Sequence, residues 1–149
     1  MGGTMATSIQ LVFDTGDPDR EAHFWAAALG YVLQPPPAGF DTWAAFLDAQ
    51  AIPEERRNDA SAIVDPDGRG PRIYFQKVPE GKTAKNRMHM DLNVSGGGGV
   101  GLAERRTRVD AEVARLKGLG ATDARGAMEQ DGEYWVRMND PEGNEFCVQ

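Results

Sequence analysis

A single cysteine, Cys147, stands among 149 residues, so no intramolecular disulfide can form. That fits a reducing compartment, and a cytoplasmic location is expected. No run of about 18 apolar residues occurs, so neither a transmembrane helix nor a membrane partner is expected. Basic residues are the minority: 16 Lys and Arg against 23 Asp and Glu give a net charge of -7. An acidic surface repels phosphate backbones, which argues against a nucleic-acid partner. No four-residue Cys/His cluster has the spacing of a structural zinc site. The opening MGGTMATS has neither a basic n-region nor an apolar h-region, so no signal peptide is expected there. Residues 1–7 read as a disordered leader before an ordered domain over 8–149.

What is present is globular in character. Hydrophobic residues make up 40%, with three Trp, three Tyr and six Phe as large core pieces. A chain of this length can bury a core of its own.

Apolar periodicity divides the chain into elements. Ile9, Leu11 and Phe13 alternate with polar residues over Ser8 to Asp14, a strand pattern. Asp17-Pro18 opens a helix as N-cap and N1, Ala22, Trp25, Ala26 and Leu29 repeat at helical spacing, and Gly30 closes it. Pro35-Pro36-Pro37 is a break. Thr42 to Leu47 reads as a strand, residues 50–60 as a polar excursion, and Ser61 to Val64 and Arg72 to Val78 as strands around an Asp65-Pro66-Asp67-Gly68 turn.

A connector over 79–86 follows, and its Lys82 and Lys85, with Arg87, read mainly as solvated charge. Arg87 to Val94 then alternates as a strand with Met88, Met90, Leu92 and Val94 on its apolar face. Gly96 to Gly99 make a flexible loop without the Lys-Ser/Thr of a phosphate loop. Val109, Val113 and Leu116 mark a helix ending at Gly118 or Gly120. Strands near Ala121 to Ala127, Glu133 to Met138 and Asn144 to Val148 finish the chain, the last after Asp140-Pro141-Glu142-Gly143.

The order is strand, helix, strands, repeated once. Each half holds an Asp-Pro-acid-Gly turn before its last strand, and each helix ends at Leu-Gly. That is an internal repeat of two modules, about 8–79 and 86–149.

With Phe24-Trp25 before Leu29-Gly30, the Asp140 to Asn144 turn, the stretch Lys85 to Asp91 and the ending Gly143 to Cys147, the chain resembles the glyoxalase/bleomycin resistance/dioxygenase (vicinal oxygen chelate) superfamily, in its glyoxalase-like branch. The resemblance implies an α+β fold: two tandem βαβββ modules forming a cupped mixed/antiparallel sheet with helices packed outside. It also implies a homodimer, since family members often complete the cup across a two-fold axis.

Strand parity names the walls of such a cup, because residues opposite the apolar face line it. On that basis Gln10, Tyr74, Gln76, His89, Asp91, Trp135 and Cys147 are ligand-binding candidates, joined by Trp43. Family members with a metal place His, Glu or Gln at one position on each of four strands. By motif spacing those positions correspond to Gln10, Gln76, His89 and Cys147. This quartet holds no carboxylate to move a proton, and a neutral Gln is a weak ligand. The expected function is therefore binding of a small organic molecule, with no cofactor and without the standard metal site. The alternative is a divalent-metal-dependent lyase or dioxygenase with an atypical His/Cys set. A lone cysteine reads first as a small buried residue, and a reactive one needs a depressed pKa.

Overall fold

A computed structural model describes Gly3 and residues 5–149. Met1, Gly2 and Thr4 of the expected leader lie outside the described residues. The chain divides into two compact units, Met1–Gly81 and Lys82–Gln149. Each is a four-stranded mixed sheet with helical cover, so the fold is α+β and repeats βαβββ twice.

The N-terminal unit runs β1 (Leu11–Thr15), α1 (Pro18–Leu29), β2 (Val32–Leu33), α2 (Trp43–Ala49), β3 (Ala60–Val64) and β4 (Ile73–Lys77). Its strand order is β1-β4-β3-β2, with β1 parallel to β4 and the other neighbours antiparallel. Asp17 caps α1 by accepting the Arg20 N–H, and Pro18 occupies the first turn, where no donor is lost. α1 lays Ala22, Trp25 and Ala26 over Ile63, Ile73 and Phe75. Phe13 joins this layer, 5.7 Å from Trp25 and 5.5 Å from Phe75 by ring centroids.

The C-terminal unit repeats the plan: β5 (Asp91–Leu92), α3 (Leu102–Leu119), β6 (Thr122–Gln130), β7 (Glu133–Asn139) and β8 (Glu145–Val148). Its order is β5-β8-β7-β6, again with the first strand parallel to the last. Val109 and Leu116 of α3 are fully buried, as are Met138 and Val148 of the sheet beneath. Tyr134 on β7 ties the helix down by donating to Asp110 at 2.6 Å. Burial, then that carboxylate, push the phenol up to about 12.

The repeat seen in the sequence has a structural cause. Asp65 accepts the N–H groups of Asp67, Arg69 and Gly70, at 2.8 to 3.2 Å. Asp140 accepts those of Glu142 and Asn144 and the Asn144 side-chain amide, all at 2.9 Å. Helices α1 and α3 each end on a left-handed glycine, Gly30 at φ 72° and Gly120 at φ 117°, a conformation other residues adopt only under strain.

Three expected elements need correction. Thr42 to Leu47 is not a strand: Thr42 accepts the Ala45 N–H at 3.1 Å and starts helix α2, whose Ala and Leu content favours the helix once capped. The strand expected over Arg87 to Val94 is reduced to Asp91–Leu92. Asp91 lies opposite Cys147 in parallel register. Residue 87 would therefore fall opposite Gly143, inside the turn, where no strand exists to receive it. Met88, expected on the apolar face, is 76% exposed. The first strand begins at Leu11 rather than Ser8, because its continuation would meet Pro71, which has no N–H to give. Ile9 is accordingly 69% exposed instead of core. The sequence reading also passed over β2. Among the described residues, no helix is long and apolar enough to cross a membrane.

Candidate functional site

In the N-terminal unit, α1 covers one face of the sheet and leaves the other to Val12, Tyr74, Gln76, Ala60 and Ala62. Register puts Val12 and Ala62 on either side of Tyr74, and Asp14 and Ala60 on either side of Gln76. A groove of about 630 Å³ lies on this unit, lined by Tyr74, Ala60, Ala62 and Arg72 of the sheet region and by Leu33, Trp43, Leu47 and Ile52. Helix α2 supplies two of those apolar walls. Trp43 is 40% exposed, yet its indole N–H is fixed on the Gln34 carbonyl at 2.7 Å.

Gln10 and Gln76 are both committed to neighbours. Gln10 precedes β1, and its Oε1 accepts from the Arg72 guanidinium at 2.9 Å. Gln76 donates its amide to Asp14, its cross-strand partner, at 2.7 Å. Arg72 also donates Nε to Gln34 Oε1 at 2.5 Å and lies over the Tyr74 ring, 5.4 Å from its centroid.

In the C-terminal unit the open row is polar. Asp91, Cys147 and Arg137 stand side by side on β5, β8 and β7. Trp135 is two residues before Arg137, half-buried on the same face, opposite Met128. His89 lies just ahead of β5, its Nε2 3.3 Å from Asp91 Oδ1. The donor atoms of His89, Asp91 and Cys147 all lie within 4.8 Å of one another, the group of this kind among the described residues. Cys147 is only 5% exposed. Burial raises its pKa, and the Arg137 guanidinium offsets that only in part. Glu145, at the start of β8, is held elsewhere: its carboxylate accepts the Asn86 N–H at 3.0 Å and pairs with Lys82 at 3.2 Å. Burial works against its ionisation, but those donors hold its pKa below the usual carboxylate range.

The family model described as the glyoxalase-like domain matches residues 10–149. The chain belongs to the glyoxalase-like domain family. Its place in the glyoxalase/bleomycin resistance/dioxygenase superfamily agrees with the solved structures it resembles. One is a glyoxalase/bleomycin resistance protein/dioxygenase family enzyme from Burkholderia phytofirmans, 15% identical, TM-score 0.59, covering 93% of this chain and 94% of that one. Another is a possible glyoxalase from Bacillus cereus, 15% identical, TM-score 0.59, covering 97% and 99%. A third is the fosfomycin resistance protein FosX from Mesorhizobium loti, 10% identical, TM-score 0.57, covering 97% and 92%. No curated protein matches the sequence. At such identities these likenesses establish the fold alone.

A glyoxalase-like fold invites a divalent metal, and the four expected positions do not fit one. The Gln10 oxygen already faces a guanidinium, which a cation would have to approach or displace. The Cys147 thiol is buried and its pKa raised, so a metal would have to displace its proton. The exchange of a glutamine for Asp91 gives a better donor set of N, O and S, but Arg137 stands against its sulfur.

Sequence parity found Tyr74, Gln76, Asp91, Cys147 and Trp135 on the correct faces. It missed Leu33, Gln34 and Arg72. Arg72 was visible as the residue before Ile73 and hence on the open face; its role depends on Gln10 and Gln34, which no local pattern brings together.

Proposed function

We propose that this glyoxalase-like protein binds a small organic molecule in the groove of its N-terminal unit, without the metal site typical of its superfamily. The observation that carries this reading is the groove itself: about 630 Å³, walled by Trp43, Tyr74, Leu33, Leu47 and Ile52, with charged and polar residues, Arg72 and Gln34 among them, in the same lining. The donors at the expected metal positions support it, since two are engaged glutamines and one is a buried thiol. The superfamily's habit of two-fold assembly makes a homodimer part of the reading, and light scattering giving a monomer mass would remove that part.

A second reading is favoured by the compact His89, Asp91 and Cys147 group. It makes the protein a divalent-metal-dependent lyase or dioxygenase. Elemental analysis of protein purified without chelator separates the two. The binding reading expects well under one divalent metal per chain, in wild type and in His89→Ala alike. A stoichiometric metal that disappears in His89→Ala would overturn it.

A further inference from the structure

We infer that the groove of the N-terminal unit takes a planar aromatic ligand bearing one carboxylate, and that Arg72 recognises that carboxylate. The inference rests on the small-molecule reading of the same groove and names the ligand class.

Three arginines line the groove, and two are already neutralised. Arg56 pairs with Asp59 at 3.1 Å, and Arg57 pairs with Asp48 at 2.5 Å and Glu54 at 3.4 Å. Arg72 has no carboxylate partner among the described residues. Its two acceptors, Gln34 Oε1 and Gln10 Oε1, are uncharged. They orient the guanidinium without cancelling its charge, and they occupy Nε and Nη1, leaving Nη2 free to donate. In a chain of net charge -7, a half-buried cation with no ion-pair partner among the described residues is a local anion site.

The neighbouring surface specifies the rest of the ligand. Gln34 does two things at once: its side chain holds Arg72 and its backbone carbonyl holds the Trp43 indole. One residue thus sets the spacing between the cation and an aromatic wall. Tyr74 lies beneath the guanidinium and provides a second aromatic surface. Flat rings stack on such walls more favourably than aliphatic chains do. A single free guanidinium edge suits one carboxylate. A second anionic group would find no unpaired arginine to meet, since Arg56 and Arg57 already hold Asp59, Asp48 and Glu54.

Isothermal titration of 2-naphthoate and of its neutral isostere 2-naphthamide tests this. Wild type is expected to bind the carboxylate at least about tenfold more tightly than the amide. Arg72→Gln should erase the preference by weakening the carboxylate alone. Arg72→Lys, which keeps the charge but not the fork, should retain only part of it, and it carries the test if the glutamine variant does not fold. Equal affinities in wild type would overturn the inference and leave the small-molecule reading standing, because the amide still binds. A full preference surviving in either variant would overturn the role of Arg72. Binding of neither compound would overturn the inference and leave the groove to a small molecule of another class.

Discussion

The two units share strand order, a parallel outer pair, a left-handed glycine after the helix and an aspartate-centred turn before the last strand. They differ in what lies on the sheet face that the helix leaves free. In the N-terminal unit an inserted helix, α2, adds Trp43 and Leu47 beside the sheet and makes an apolar groove with one unneutralised guanidinium. In the C-terminal unit the equivalent connection, from β6 to β7, is only the turn Asp131-Gly132. Its face keeps a row of Asp91, Cys147 and Arg137, with His89 beside it. One framework therefore carries two chemistries. The framework is specified by turn and cap residues, and the chemistry by an insertion and by outward-facing strand positions.

The sharpest way to break this comparison is through Cys147. If the C-terminal row were built for thiolate or metal chemistry, its sulfur would be reactive. Burial and a raised pKa instead predict alkylation by iodoacetamide at neutral pH at least about a hundredfold slower than for a free thiol. The sign follows from the acid: with its folded pKa raised, the thiol stays protonated through neutral pH. Reaction should accelerate only above the usual cysteine range. Fast alkylation of folded protein at neutral pH would contradict the assignment.

The shared framework is tested next. Asp140 is buried and Asp65 only half-buried, though each accepts three N–H groups. Asp140→Ala should cost about 2 kcal/mol in urea unfolding and Asp65→Ala about 1 kcal/mol, because unmet donors are costlier when water cannot replace the lost acceptor. Equal losses would show that burial does not distinguish the two turns. On the chemical side, Trp43→Ala should weaken binding of 2-naphthamide about tenfold, as expected for removing a stacking wall. An unchanged affinity would remove α2 from the site. The smallest effects fall on the paired caps. Gly30→Ala and Gly120→Ala should each destabilise by about 1 kcal/mol through the cost of a positive φ, and a neutral result at either would break the equivalence of the two helix ends.

Much of the framework was legible in the sequence because it is written locally. Asp17-Pro18, the Leu-Gly helix ends and the two Asp-Pro-acid-Gly turns each fix backbone geometry within a few residues. What was misread depended on distant partners. Thr42 to Leu47 is a short apolar run that fits a strand as well as a helix, and the Thr42 cap on Ala45 starts the helix. Arg87 to Met90 alternates just as well, but the register of β8 leaves it nothing to pair with. The candidate site was legible in its parity and not in its pairing. Tyr74 and Cys147 fall on the predicted faces because a strand alternates. Arg72, held by Gln10 from 62 positions before it and Gln34 from 38, has no local signature.

The central claim is that the N-terminal groove binds a small molecule without help from a metal. Titration of 2-naphthoate into chelator-treated wild-type protein tests it most directly. A one-site isotherm that added Zn²⁺ or Mn²⁺ leaves unchanged is the expected result. Binding that is absent after chelation and restored by either ion would contradict it.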